Sequence, residues 1–212
     1  MPPSRRTILK AASATLLAPI LTAGAASRAA TQRQAEGPFY PLELPMDADA
    51  DLVNVKGMDR PATGIPSILS GQITDLNGCP VGDAKIEIWQ CDAFGAYHHP
   101  GDRGNIAEAE FQGYGHSRTS NDGEYRFRTI RPVSYPGRAP HIHVIVSKPG
   151  MPSLTTQLYI KDEPLNHRDG LFSRIPQEKR PGLLARFPQS AADTGSVIAT
   201  FNIVIGHTAA CT

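Results

Sequence analysis

Tyr135-Pro136-Gly137-Arg138-Ala139-Pro140-His141-Ile142-His143, running on into Val144-Ile145-Val146-Ser147, reads as a stiff approach followed by a β-strand over His141 to Ser147. Along a strand, side chains two apart share a face, so His141 and His143 point one way while Ile142 and Val144 enter the core. Such a pair can address one metal ion. Taken alone, a His-x-His pair is equally a surface strand that happens to carry two histidines.

The neighbours of that strand change its meaning. Tyr135 lies six residues before His141, and Tyr97 closes the earlier run Trp89-Gln90-Cys91-Asp92-Ala93-Phe94-Gly95-Ala96-Tyr97. A phenol ionises only near pH ~10 unaided, so a tyrosine ligand implies a strong Lewis acid. Hard anionic oxygen combined with imidazole suits iron better than the thiolate-rich settings of structural zinc. Two phenolates and two imidazoles could hold ferric iron and leave a coordination position open.

Further strands are expected over Ser67–Asp75, Ala84–Gln90, Glu124–Thr129, Thr155–Ile160 and Val197–Ile205, separated by turns such as Asp75-Leu76-Asn77-Gly78 and Asn121-Asp122-Gly123. The last of these alternates clearly, with Val197, Ala199, Phe201, Ile203 and Ile205 on one face. The 19 glycines and 19 prolines fit a chain of many turns. The expected class is all-β, an antiparallel β-sandwich with an extended N-terminal arm and long loops. Balanced charge, 21 Lys and Arg against 20 Asp and Glu, gives no electrostatic reason to bind nucleic acid.

At the amino terminus, Ser4-Arg5-Arg6-Thr7-Ile8-Leu9-Lys10 and the apolar run Ala11 to Ala26 have the layout of a twin-arginine export signal. That run contains Pro19 and is short beside the ~20 residues of a bilayer span, so no stable membrane anchor is expected. The layout is then a signal over residues 1–30, an arm over 31–65 with an acidic bend at Asp47 to Asp51, and one sandwich over 66–212, with a periplasmic or extracellular destination. Exported proteins keep disulfides. Three cysteines allow one bridge, for which Cys79 with Cys91 is the first choice, with Cys211 left over.

The chain resembles the intradiol ring-cleavage dioxygenases. Four blocks carry the resemblance in family order: Glu36-Gly37-Pro38-Phe39-Tyr40-Pro41, Ile88-Trp89-Gln90 through Tyr97, Tyr135 through His143, and Thr156-Gln157-Leu158-Tyr159. The resemblance implies non-haem Fe(III) held by Tyr97, Tyr135, His141 and His143. It also implies a small aromatic diol and O2 as reactants, Tyr135 as the ligand displaced by the catechol, and a cis,cis-muconate-type diacid as product. Arg138 would face the substrate ring, Gln157 would lie beside that arginine or the substrate, and Gly37, Pro38 and Phe39 would supply part of the pocket wall. Members that pair two related chains suggest a partner, either a second copy or a related subunit.

The chain departs from the family in two places. The link between Tyr135 and His141 is short where the protocatechuate enzymes carry a longer Trp-bearing insertion, and no room exists for the helical domain that precedes the sandwich in catechol-type members. Two other classes compete. A transthyretin-like or carbohydrate-binding sandwich would explain the strands but not the converging tyrosines, and a zinc hydrolase would need a carboxylate beside His141 and His143.

Overall fold

The computed structural model describes residues 28–102, 106–188 and 195–208. Most of the expected export signal and Cys211 lie outside the described residues. Nine strands are present among them: β1 Pro66–Thr74, β2 Lys85–Trp89, β3 Tyr114–Arg118, β4 Glu124–Ile130, β5 His141–Ser147, β6 Leu154–Ile160, β7 Leu184–Ala185, β8 Val197–Thr200 and β9 Ile203–Val204. Short 3-10 helices cover Pro164–Arg168, Phe172–Arg174 and Gln177–Leu183.

The strands form two sheets. One has the order β4-β1-β8 with β9 also on β1, and the other has the order β3-β2-β5-β6-β7. Both are mixed, which corrects the antiparallel expectation: β8 and β9 run parallel to β1, and β7 runs parallel to β6. The expected Val197–Ile205 strand does bury every second residue, but its ladder breaks between Thr200 and Ile203. Gly71 explains the break. A Cβ at Gly71 would sit 2.0 Å from the Phe201 carbonyl oxygen, so only glycine lets the chain close in here, while Asn202 turns its Oδ1 to accept from the Gln72 N–H at 3.0 Å.

Alternation along the second sheet separates two environments. Ile86 and Ile88 of β2, Ile142, Val144 and Val146 of β5, and Leu154, Leu158 and Ile160 of β6 join one hydrophobic cluster with Leu69, Ile73, Phe127 and Val197 of the first sheet. The opposite face of the same strands carries Glu87 and Trp89, His141 and His143, and Gln157 and Tyr159. Cross-strand register places Trp89 opposite His143, His143 opposite Gln157, and His141 opposite Tyr159. One line of polar and aromatic side chains therefore crosses three strands on the face turned away from the main core.

The segment before β1 runs along the edge of β6 and then onto that face. The Gln34 N–H donates to the Thr155 carbonyl at 2.9 Å, Thr156 Oγ1 donates to the Gln32 carbonyl at 2.7 Å, and Tyr40 Oη donates to Glu87 Oε1 at 2.9 Å. Farther along, Leu52 and Val53 enter the main cluster and Asp51 pairs with Arg128, so the acidic bend is tied down on its C-terminal side. Cys79 is disulfide-bonded, whereas Cys91 is free and buried, so the expected Cys79–Cys91 bridge is not formed. Cys91 instead packs with Trp89, Tyr97 and Tyr114, and burial first, then the Asp92 charge, push its thiol up to about 12.

Candidate metal centre

Four rings close into a circuit. Ring centroids lie 4.8 Å apart for His141 and His143, 5.5 Å for His141 and Tyr135, 5.5 Å for Tyr135 and Tyr97, and 6.3 Å for Tyr97 and His143. The two histidines come from one strand, Tyr97 from the loop after β2, and Tyr135 from the turn before β5 in which Tyr135 and Arg138 bridge. All four residues expected from the sequence to share a site are thus brought together.

Hydrogen bonding sets the histidine tautomer. The Ala139 carbonyl can only accept, so His141 Nδ1 donates to it at 2.6 Å and Nε2 presents its lone pair inward. His141 Nε2 and His143 Nε2 face each other at 3.2 Å. Two ring nitrogens at that separation require a proton or a cation between them. Burial lowers the His141 pKa to about 4 and carries His143 well below its usual value, with the Arg138 charge adding to both, so each ring is held neutral, the form that ligates metals. Tyr97 Oη is buried and has no hydrogen-bond partner, and His143 Nδ1 is likewise unpartnered.

A buried, unpaired phenol is costly unless something takes it up. Burial raises Tyr97 well above the ordinary phenol range, and burial raises Tyr135 also, with the neighbouring Arg138 charge working against it. Ionising either phenol requires a nearby positive centre stronger than one guanidinium. The donor set fits a hard, highly charged ion such as Fe(III). Among the described residues, no group of three or more His, Cys, Asp and Glu side chains could hold a metal, so the zinc alternative finds no third ligand of its kind.

Arg138 is fixed from three sides. Its Nε donates to Asp169 Oδ2 at 2.8 Å, Nη1 to Tyr135 Oη at 3.2 Å, and Nη2 to Gln157 Oε1 at 2.5 Å. Tyr159 Oη lies 2.9 Å from Gln34 Oε1 and 3.0 Å from Gln157 Oε1, either of which can accept its single proton, and Gln157 Nε2 donates to the Ala35 carbonyl at 2.9 Å. Burial alone would raise the Asp169 carboxyl. The backbone N–H groups of Phe172 and Ala139 and the guanidinium outweigh it and hold Asp169 ionised, below its usual range. Arg138 therefore pairs with a buried carboxylate on the chain connecting β6 to β7.

The pocket residues expected at the arm divide. Gly37, at φ +81°, lies against His143, where an added Cβ would meet Cε1 at 3.2 Å, and Phe39 stacks on Tyr97 at 4.6 Å with its edge toward Tyr135. Pro38 between them is exposed. Three neighbours escaped sequence reasoning as site residues. Trp89 stacks on His143 at 4.7 Å and 10° instead of joining the main core, Tyr159 packs beside His141 at 5.9 Å, and Asp169 anchors Arg138. The first two could have been found from period-2 alternation, since Trp89 and Tyr159 share the ligand face of their strands. Asp169, 31 positions from Arg138, has no local signal.

Residues 35–207 match the protein family described as Dioxygenase. The chain belongs to the intradiol ring-cleavage dioxygenase family. Within it, the chain is 31% identical over 183 residues to the protocatechuate 3,4-dioxygenase beta chain of Burkholderia cepacia, covering 82% of this chain and 78% of that one. It is 30% identical over 155 residues to the catechol 1,2-dioxygenase of Candida albicans, covering 65% of this chain but only 49% of that enzyme. The chain therefore spans about half the length of that catechol enzyme. Among solved structures, the dioxygenase domain of a dioxygenase and carbohydrate-binding protein fusion from Streptomyces sp. SirexAA-E matches with a TM-score of 0.67 at 33% identity, covering 85% of this chain and all of that domain. This family is one of oxidoreductases.

Proposed function

We propose that the chain is a non-haem Fe(III)-dependent intradiol dioxygenase that opens a catechol-type ring between its two hydroxyl carbons, placing both atoms of O2 in a cis,cis-muconate-type diacid. Tyr97, Tyr135, His141 and His143 would hold the iron. The observation that carries this reading is the closed circuit of these four rings around two facing Nε2 atoms, with Tyr97 Oη buried and unpaired beside them. When bound, the metal acts as a Lewis acid and template that makes a catecholate open to attack by O2.

The protein's own groups supply the remainder. Tyr135 is half-buried on a turn, and its Oη already accepts from Arg138, so it would be the exchangeable ligand, its oxygen held by the guanidinium where it could take a catechol proton. Arg138, aimed by Asp169 and Gln157, presents a rigid planar cation toward the substrate ring, where it stabilises negative charge that grows at the attacked carbon. Gln157 serves mainly by fixing that aim. A cavity of about 290 Å³ lined by Tyr135, Arg138, Ala139, Leu165 and Asp169 offers space on this side of the centre. Gly37 and Phe39 close the site from the arm, and the absence of a Cβ at Gly37 keeps His143 undisturbed.

We read the two sheets as a β-sandwich with residues 31–65 as its arm, and the amino terminus as a twin-arginine signal that exports the protein already folded. The protein is purified and its iron content measured, and O2 uptake is followed with catechol, protocatechuate, hydroxyquinol and chloro- or alkylcatechols. Bound iron, visible tyrosinate colour and uptake of one O2 per diol are expected with at least one of them. A colourless, iron-free protein that consumes no O2 after ferric reconstitution defeats the reading.

A further inference from the structure

Glu87 is a buried carboxylate that the proposed chemistry leaves unused. It sits on β2 two residues before Trp89, on the ligand face of the strand, and is 6% exposed. One of its oxygens, Oε1, receives Tyr114 Oη at 2.6 Å, Tyr40 Oη at 2.9 Å and Lys85 Nζ at 2.9 Å. Burial alone would raise its pKa, but the bonds from Tyr114, Lys85 and Tyr40 outweigh burial and hold it below the usual carboxylate range. Burial and the same carboxylate keep both phenols protonated. Each therefore donates a charge-assisted hydrogen bond, about twice as strong as a neutral one.

These bonds reach the metal centre through packing. Tyr40 belongs to the arm, and its ring stands edge-on against Trp89, 5.1 Å away at 89°. Trp89 in turn lies flat on His143. Neither Trp89 Nε1 nor His143 Nδ1 has a hydrogen-bond partner among the described residues, so packing sets the planes of both rings. His141 is held differently, by its Nδ1 bond to the Ala139 carbonyl. Ligating histidines are usually aimed by such a bond. At His143 the stacked indole takes that role, braced by Tyr40.

The arm adds a second contact of the same origin. No hydrogen bond ties residues 36–39 to another segment among the described residues, although Gly37 lies against His143 and Phe39 stacks on Tyr97. On one side of this stretch Gln34 and Ala35 are bonded to β6, and on the other the first side-chain bond is that of Tyr40 to Glu87. The chain over the ligands is thus suspended between β6 and Glu87. We propose, on the reading of His143 as a metal ligand, that Glu87 is a positioning residue: by holding Tyr40 it keeps Trp89 stacked on the histidine and residues 36–39 closed over it.

Glu87→Leu and Tyr40→Phe are compared with Tyr114→Phe, which removes the shortest bond to the same oxygen but leaves the Tyr40 link intact. Two properties are measured on each: iron affinity, by competition with a chelator, and acrylamide quenching of Trp89, the only tryptophan of the chain, in the metal-free protein. Glu87→Leu and Tyr40→Phe should each bind iron about 10–100-fold more weakly. The double variant should bind it no more weakly than the weaker single one, because both changes cut one link. Trp89 should be quenched more readily in both, whereas Tyr114→Phe should keep parental quenching and parental iron affinity. Tyr40→Phe loses only the hydroxyl of a half-buried side chain, which keeps the test valid should Glu87→Leu fold poorly. Parental iron affinity in Glu87→Leu and Tyr40→Phe, or an equal loss in Tyr114→Phe, would overturn the proposal and leave the ligand reading standing. Trp89 quenching unchanged by either substitution would overturn it at the indole. A parent protein that takes up no iron after ferric reconstitution would defeat the ligand reading, and this inference with it.

Discussion

The two histidines and the two tyrosines of the candidate centre are held in different ways. His141 and His143 sit on the central strand of a five-stranded sheet, His143 paired with both β2 and β6 and His141 with β6, and each is 1% exposed. Tyr97 and Tyr135 come from connections, the first buried and the second half-buried in a turn with Gly137 at φ +79°. A strand bonded on both sides cannot shift one residue without unpairing its neighbours, whereas a turn can reposition a side chain for far less. On the proposed function, the fold gives the permanent ligands to the sheet and the exchangeable one to a turn.

Removing either kind of ligand is the strongest way to break this contrast. His143→Ala should lose most of its iron and with it the visible colour and activity, since the remaining donors are left without their geometry. Tyr135→Phe should retain a substantial share of iron while failing to turn over. Iron analysis and absorption spectra of the two variants decide the matter, and equal iron loss in both would end the distinction.

Arg138→Lys comes next in size. It keeps the charge but loses the fork that reaches Asp169, Tyr135 and Gln157 together, so turnover should fall about 10²–10³-fold with iron and catechol binding retained. Asp169→Asn removes one charged hydrogen bond from the same guanidinium, and a loss of about 10–100-fold in turnover is expected from its usual worth. Single-turnover rates after admitting O2 to the anaerobic catechol complex measure both. Thr156→Val should have the smallest effect, about 1 kcal/mol of stability from the bond to the Gln32 carbonyl, with iron content unchanged, as checked by chemical denaturation.

Which parts were legible in the sequence follows from the range of the signal. Period-2 alternation found β1, β2, β4, β5 and β6 nearly to the residue, because each has one face in the main core. β3 was missed, since Tyr-Gly-His-Ser-Arg has no apolar alternation; its Gly115 is needed because a Cβ there would meet the Asp49 carbonyl at 2.4 Å. β7, two residues long, offers too little pattern to see. Parallel pairing of β8 and β9 with β1 was equally invisible, as alternation reports which face is buried and says nothing of direction. That the rings of Tyr97, Tyr135, His141 and His143 come together beside Arg138 was readable from their spacing and family blocks. Asp169 and the free state of Cys91 depend on contacts between distant segments, which no local pattern encodes.

Strand β6 is partnered by β5 from Leu154 to Tyr159, but β7 meets it only at Tyr159 and Ile160. The remainder of that edge is occupied by the arm, through Gln34 to the Thr155 carbonyl, Gln34 Nε2 to the Gln157 carbonyl, Arg33 to the Ser153 carbonyl, and Gln32 to Thr156. An uncovered strand edge is a template on which another chain can pair. The few residues from Gln32 to Gln34 thus do something besides holding Tyr159: they cover an edge on which a second copy could pair. A chain clipped ahead of Glu36 would retain its metal ligands and yet be expected to associate with its own kind through β6, so that intact arm and colloidal solubility go together.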